Sequence, residues 1–331
     1  MSQDTGTNTL SSLGEFGLVG KILSTIRESS LSIPGLEVEA GDDAAVINLA
    51  NASLVISVDM YVEGKHFRTD WSTAIEIGRR CAAASLSDVC AMGAVPIGVL
   101  LAIGMPGSTA SHWASEFISG FTEEVGLAGA LVLGGDVSES DQIVISVSAL
   151  GTVESGSAVT REGAQIGDLV GICGRSGMAA AGLRILQRGL RSPRVLVDAF
   201  RVPKIDYLAG SRAAQHSATS MIDISDGLVA DLQHIARDSQ VCVELDTSGF
   251  DVPQELVSAA AAFGTDPMSW ILAGGDDHAL VATFPASVGV AQGFTVIGKI
   301  TQRKENGVTA EGTVLVDGEP YTESPGFRHF T

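Results

Sequence analysis

Residues 40–60 read AGDDAAVINLANASLVISVDM. Two adjacent carboxylates, Asp42 and Asp43, precede an apolar run at 44–48. A short turn around Asn51 leads into a second run, 53–59, which ends on Asp59. Both segments read as strands, joined by that short turn. Charge placed at the rims of core strands is the feature to be explained.

The same alternation of strands and helices continues in both directions. The spacing of Phe16, Val19, Ile22, Leu23 and Ile26 predicts a helix over 14–28. A helix is expected over 73–92, entered at Ser72–Thr73. PIGVLLAIGMP (96–106) reads as a buried strand bounded by prolines. STASHWASEFISGFTEEVGL (108–127) reads as a helix capped by Ser108 or Thr109. Strands follow at ALVLGGD (130–136) and QIVISVSALGTV (142–153). After a small, polar stretch, a strand ends near Gly174 and a helix covers 177–189. TSMIDISDGLVADLQHIARDS (219–239) gives strand, turn and helix, with Ser225 or Asp226 able to cap the helix. VCVELD is a strand, 253–263 a helix, and 267–285 a helix or turn, a Gly-rich acidic turn and then a strand. The reading is an α/β (α+β) chain of two domains, 1–155 and 156–331, since 331 residues exceed one typical domain.

The bulk numbers remove several function classes. A net charge of −19 repels nucleic acid and anionic membranes. Four dispersed cysteines without a CxxC pair argue against a disulfide framework or a zinc site. The polar start lacks a signal peptide, and the Ala-rich run near 81–104 is too interrupted to span a bilayer. A cytoplasmic protein is expected.

Asp42, Asp43, Asp59, Asp88, Asp136, Asp223, Asp226, Asp276 and Asp277 all end apolar stretches or sit in glycine turns. Any one of them reads equally as a cap or turn former. Asp88 is harder to explain that way, because a helix interior gives an aspartate no advantage. If several converge, they repel by roughly 4 kcal/mol per pair at 4 Å and an effective dielectric near 20. Lys and Arg total 20 against 39 acids and are nearly absent from these motifs. The neutraliser is then a divalent cation. All-oxygen ligation suits Mg²⁺, or Mn²⁺ or Ca²⁺, over Zn²⁺, and no EF-hand loop favours calcium. Such a cluster recruits phosphates, and glycines beside it let backbone N–H groups approach them. A Walker A loop, the HRD and DFG kinase motifs, GxSxG and GxGxxG are all absent.

GDDAAV (41–46), SVDMYVEGKHF (57–67), SLSDVCAMGAVP (85–96), GGDVS (134–138), TREGAQIGD (160–168), DISDGL (223–228) and GGDDH (274–278) together closely resemble the thiamine-monophosphate kinases. That family falls in the aminoimidazole ribonucleotide synthetase and selenophosphate synthetase superfamily. The resemblance runs from about residue 14 to the terminal GFRHF. It implies an N-terminal mixed sheet forming a barrel with a second subunit, a C-terminal α/β domain, and a cleft holding ATP and several Mg²⁺. The implied reaction is direct transfer of the ATP γ-phosphoryl group to thiamine monophosphate.

By resemblance, Asp43, Ser57, Val58, Asp59, Asp88, Asp136, Asp223 and Asp226 match metal positions, Val58 by its backbone at most. Gly135, Asp136, Arg161 and Ser225 match nucleotide contacts, and Asp88, Asp136 and Asp223 the catalytic group. His66, Asp276 and Phe327 match the substrate side. Asp276 stands where family members often carry glutamate, one methylene longer. Arg161 also reads as a surface residue of a turn, His66 as a loop residue, and Phe327 as tail packing. Selenophosphate synthetase would need a reactive cysteine near the N-terminus, yet no cysteine precedes residue 81. A hydrogenase-maturation enzyme would end in cysteine. Aminoimidazole ribonucleotide synthetase matches the motifs less well. The rival of another class is a non-catalytic, metal-dependent nucleotide-binding protein of the same fold.

Overall fold

Thr73 starts the helix around which both halves of the chain are built. Its hydroxyl accepts from the Glu76 N–H at 3.3 Å, and Glu76 returns the bond to the Thr73 N–H at 2.7 Å. This capping box fixes the start of α1, Ala74–Ala91. The computed structural model of the chain describes residues 36–38, 45–49, 51–302, 304–305, 308–309, 312–324 and 326. The expected helix over 14–28 lies outside them.

Six strands form the first sheet: β1 Leu36–Val38, β2 Ala45–Leu49, β3 Ala52–Val62, β4 Val95–Met105, β5 Leu131–Glu139 and β6 Val144–Glu154. Their order is β1-β2-β3-β6-β4-β5, antiparallel except for the parallel β4–β5 pair. α1 and α2 (Ser111–Leu127) cover one face. Val55, Val99, Ile145 and Val147 point into that layer against Ile77, Leu86, Phe117 and Phe121. The two helices approach closely at Gly78 and Gly120. A Cβ at either would run into the backbone carbonyl of the facing helix, Phe117 or Ile75.

The sheet's other face is bare. Val58 is 65% exposed, Leu131 68% and Val137 70%, with Met60, Leu100 and Leu133 beside them. The expectation of a fully buried strand at 96–106 is corrected here. β4 alternates between buried and exposed positions, so only its α1–α2 side is covered.

A seven-stranded sheet in the second half has the order β15-β14-β9-β11-β7-β10-β8. It comprises β7 Leu169–Cys173, β8 Ser220–Asp223, β9 Cys242–Leu245, β10 Leu280–Phe284, β11 Thr295–Thr301, β14 Thr313–Val316 and β15 Glu319–Pro320. A separate hairpin pairs β12 Lys304–Glu305 with β13 Val308–Thr309. α3 Met178–Gln187, α4 Arg194–Arg201, α7 Gln254–Phe263 and α8 Pro267–Ala273 make their own core around Leu196, Phe200, Leu256 and Ile271. α5 Ala209–Gln215 and α6 Leu228–Asp238 pack on the sheet.

α1 is the seam between the halves. It is buried nearly all round, which its run of alanines and small polar residues permits. Cys90 Sγ donates to the Tyr207 carbonyl at 3.3 Å, and Arg201 pairs with Glu76 at 3.3 Å. Tyr207 donates to the buried Glu124 at 2.6 Å, which also receives Arg79 at 2.8 Å. All four cysteines are buried and outside any disulfide, and burial pushes the Cys81 and Cys90 thiols up, so they stay neutral.

Candidate active site

α1 carries acids and their partners on two faces. Toward the first sheet, Ser57 Oγ on β3 donates to Asp88 Oδ2 at 2.6 Å. Two residues along β3, Asp59 Oδ2 accepts from Tyr61 Oη at 3.0 Å, and Tyr61 Oη also lies 2.9 Å from Ser85 Oγ. Burial, followed by the charge of Asp59 and a smaller share from Asp88, holds the Tyr61 phenol well above its usual range. Tyr61 is thus a fixed donor to Asp59, with the Asp88 charge near enough to act on it. The period of two along β3 puts Ser57, Asp59 and Tyr61 on the covered face and Val58 on the bare one.

Toward the second half, Ser87 Oγ stands 2.7 Å from Asp223 Oδ2, to which it donates. Asp223 ends β8 and is buried. His278 Nδ1 lies 3.0 Å from the same carboxylate oxygen and 3.1 Å from Ser87 Oγ. Burial opposes charging either group. The hydrogen bond and mutual attraction outweigh it, holding Asp223 below and His278 above their ordinary values. The charge of Arg161 also acts on Asp223. Ser87, Asp223, His278, Lys204 and Asp206 line one cavity of about 60 Å³ at this seam.

The turn after β8 is organised by a residue the sequence reading did not single out. Asp231 Oδ2, one turn into α6, accepts from the N–H groups of Ser225, Asp226 and Gly227 at 3.0, 3.2 and 3.1 Å. Asp231 therefore ties the turn to its helix, and the expected cap by Ser225 or Asp226 is corrected. Gly227 is the N-cap and has no side chain to give. Ser225 is left exposed, and its carbonyl accepts from the Asp276 N–H at 2.9 Å. Asp276, at φ +68°, pairs with Arg80 on α1 at 2.7 Å. Its neighbour Asp277 is structural. It accepts from Gly177 N at 2.6 Å and Ala179 N at 2.8 Å at the start of α3, while burial pushes its carboxyl up to about 7.

His66 sits in the loop after β3, half-buried, where its Nδ1 accepts from the Val62 N–H at 2.9 Å. A neutral His66 therefore carries its proton on Nε2. Asp43 and Phe327 lie outside the described residues.

Gly135 and Asp136 stand apart from this group. Asp136 pairs in register with Ala102, Ala102 with Ser146, and Ser146 with Met60. Directly paired residues share a face, so Asp136 points to the bare side with Met60, opposite Asp59. It is also three strands away, about 14 Å. A break of register between Val99 and Leu100, at the left-handed Gly134, sets this side.

Among the described residues no group of three or more His, Cys, Asp or Glu is placed to hold a metal by itself. That arrangement still fits Mg²⁺, which commonly keeps several waters and takes one or two carboxylates plus phosphate oxygens. The donor chemistry is all oxygen, with Asp59 bonded to Tyr61 and Asp88 to Ser57 of the same strand. Arg80, Ser87, Asp231 and His278 were missed in the sequence. One signal was present: Arg80 and Ser87 are seven residues apart, two turns on one helix face, and each meets an acid of the second half.

The AIR synthase related protein, N-terminal domain family matches residues 41–153. A thiamine-monophosphate kinase of Mycobacterium tuberculosis is 37% identical to this chain, over 98% of it and 94% of that protein. The thiamine-monophosphate kinase of Corynebacterium glutamicum is 36% identical, over 97% and 95%. Among solved structures, AaThiL complexed with AMPPCP and TMP superposes with a TM-score of 0.86 at 28% identity, covering 98% of this chain and all of that one. Hydrogenase maturation protein HypE shares the fold, with a TM-score of 0.66 at 17% identity, covering 87% and 94%.

Proposed function

The chain belongs to the thiamine-monophosphate kinase family, and on that premise we propose that it transfers the γ-phosphoryl group of ATP directly to thiamine monophosphate, giving thiamine diphosphate and ADP. The observation that carries the reading is one buried helix that bonds β3 of the first half through Asp88 and holds Asp223 of the second half through Ser87. Two domains, 1–155 and 156–331, with a cleft along α1, are part of the proposal.

Phosphoryl transfer asks a protein for position and charge stabilisation more than for covalent help. Asp43, Ser57, Asp59, Asp88, Asp136, Asp223 and Asp226 would hold Mg²⁺, with Val58 offering only its backbone. Bound there, the metal would neutralise the phosphate charge. Ser57 and Tyr61 orient the carboxylates of Asp88 and Asp59, and Ser87 with His278 orients Asp223. Arg161, Ser225 and Gly135 would contact the nucleotide, and His66, Asp276 and Phe327 the acceptor. The acceptor oxygen belongs to a phosphate whose second pKa is about 6, so it is largely deprotonated near neutrality and needs no strong base.

A homodimer completes the proposal. Val58, Met60, Leu131, Leu133 and Val137 leave an apolar face that a second copy would cover. Asp136 lies on that face, so it meets a nucleotide only where two copies join. No helix among the described residues is long and apolar enough to cross a membrane; a cytoplasmic location belongs to the proposal.

The test is an acceptor screen with ATP and Mg²⁺. Thiamine monophosphate is expected to be phosphorylated, and free thiamine and hydroxymethylpyrimidine phosphate are expected to be poor acceptors. Nucleotide binding without phosphorylation of any of them would favour the non-catalytic reading.

A further inference from the structure

We propose that Arg80 is a positioning residue for the phosphoryl acceptor, holding one oxygen of Asp276 across the seam and leaving the other to face the acceptor's ring donors. This deepens the reading above and rests on its placement of Asp276 at the acceptor.

Arg80 is only 5% exposed, in the middle of α1. A buried guanidinium needs partners on all sides, and three are present. One arm donates to the Phe200 carbonyl at the end of α4. The other pairs with Asp276 Oδ1 at 2.7 Å. The plane lies over the Phe200 ring, 4.7 Å from its centroid. All three contacts cross from the first half of the chain to the second.

Asp276 is held twice. Its N–H donates to the Ser225 carbonyl, which fixes the backbone in the left-handed region, and Arg80 fixes the side chain. The side chain is still 42% accessible, so the carboxylate has a face to offer. A short acid gives up reach for rigidity. With one oxygen bound, its remaining lone pairs have a single direction, which suits a ring amine or a cationic heterocycle.

Phe200 extends the arrangement to the other acceptor-side loop. Trp71 meets it edge-on at 6.2 Å, and Arg68 covers Trp71 at 4.5 Å. Trp71 ends the loop that carries His66. Asp276 and the loop that carries His66 are therefore tied to one node, the Arg80–Phe200 pair. A lysine cannot reproduce this, because it has neither the planar fork nor the stacking surface.

The experiment is steady-state kinetics with thiamine monophosphate and ATP varied separately, for the wild type, R80K, R80Q, D276N and R80Q/D276N. R80Q is expected to raise the acceptor KM about ten-fold or more while the ATP KM stays within about two-fold. R80K should fall between wild type and R80Q, and serves if R80Q does not fold. Because the arginine acts through the aspartate, R80Q/D276N should be no worse than D276N alone. An unchanged acceptor KM in R80Q, an equal rise in the ATP KM, or multiplying effects in the double variant would overturn the proposal. A wild type that turns over no acceptor overturns the kinase reading instead. Calorimetric binding of thiamine monophosphate then decides the arginine's role: weakened in R80Q supports it, unchanged refutes it.

Discussion

Asp88→Asn separates a charge needed for chemistry from one needed for folding. Asp88 Oδ2 accepts from Ser57 at 2.6 Å, and asparagine keeps an acceptor in the same place. A hydrogen bond to a charged group contributes about 1.5–3 kcal/mol and a neutral one about 0.5–1.5, so roughly 1 kcal/mol is lost. Removing one of two negative charges that both act on Tyr61 returns part of it. The net change in stability should stay near 1 kcal/mol, a shift in Tm of about 1–2 °C for a chain of this size. Turnover should fall far more. Losing one preorganised electrostatic contact to the reacting phosphates costs about 3–4 kcal/mol, or 10²–10³ in kcat. Product formation at saturating ATP, acceptor and Mg²⁺ gives the first number, and thermal unfolding the second. A kcat within ten-fold of wild type, or a fall in Tm beyond about 8 °C, would make Asp88 a structural acid and refute the reasoning.

Other perturbations probe the frame. Phe121→Ala removes a fully buried ring between α1, α2 and the sheet, and should cost about 3–5 kcal/mol in denaturant unfolding. Leu131→Glu with Val137→Glu places charge on the bare face; light scattering should show a dimer becoming a monomer, while circular dichroism stays unchanged. His278→Gln should alter the pH dependence of stability. His278 is held above its ordinary 6.5 and Asp223 below its ordinary 3.8. The histidine's contribution is therefore complete below about 6.5 and is lost as pH rises through the folded value. That of Asp223 is present above its ordinary value and is lost in acid. Wild type should lose more stability than His278→Gln as pH rises above 6.5; parallel urea midpoints across that range would count against the pair.

Much of the frame was legible because local signals agreed. The Thr73 entry, the β3 alternation and the strand–turn–helix at 219–239 each follow from period and capping chemistry. The covering of a strand was not legible. β4 reads as apolar throughout, and only the sheet's bare face explains why half of it is exposed. The side taken by Asp136 turns on one register break, which composition does not encode. α2 starts after Ala110, without the side-chain cap expected from Ser108 or Thr109, because Thr109 N donates to the Pro106 carbonyl in a preceding turn. α4 and α5 are too short for periodicity to declare. Arg80 and Asp276 belong to distant segments, and only packing reveals that they meet.

In the proposed reaction, carboxylates and a divalent cation bring two phosphates together for direct transfer. Phosphorus NMR of the chain with ATP and thiamine monophosphate, with and without Mg²⁺, tests it most directly. ADP and thiamine diphosphate should form in equal amounts with Mg²⁺, and neither without it. ADP formed without thiamine diphosphate, or equal transfer in the absence of metal, would contradict it.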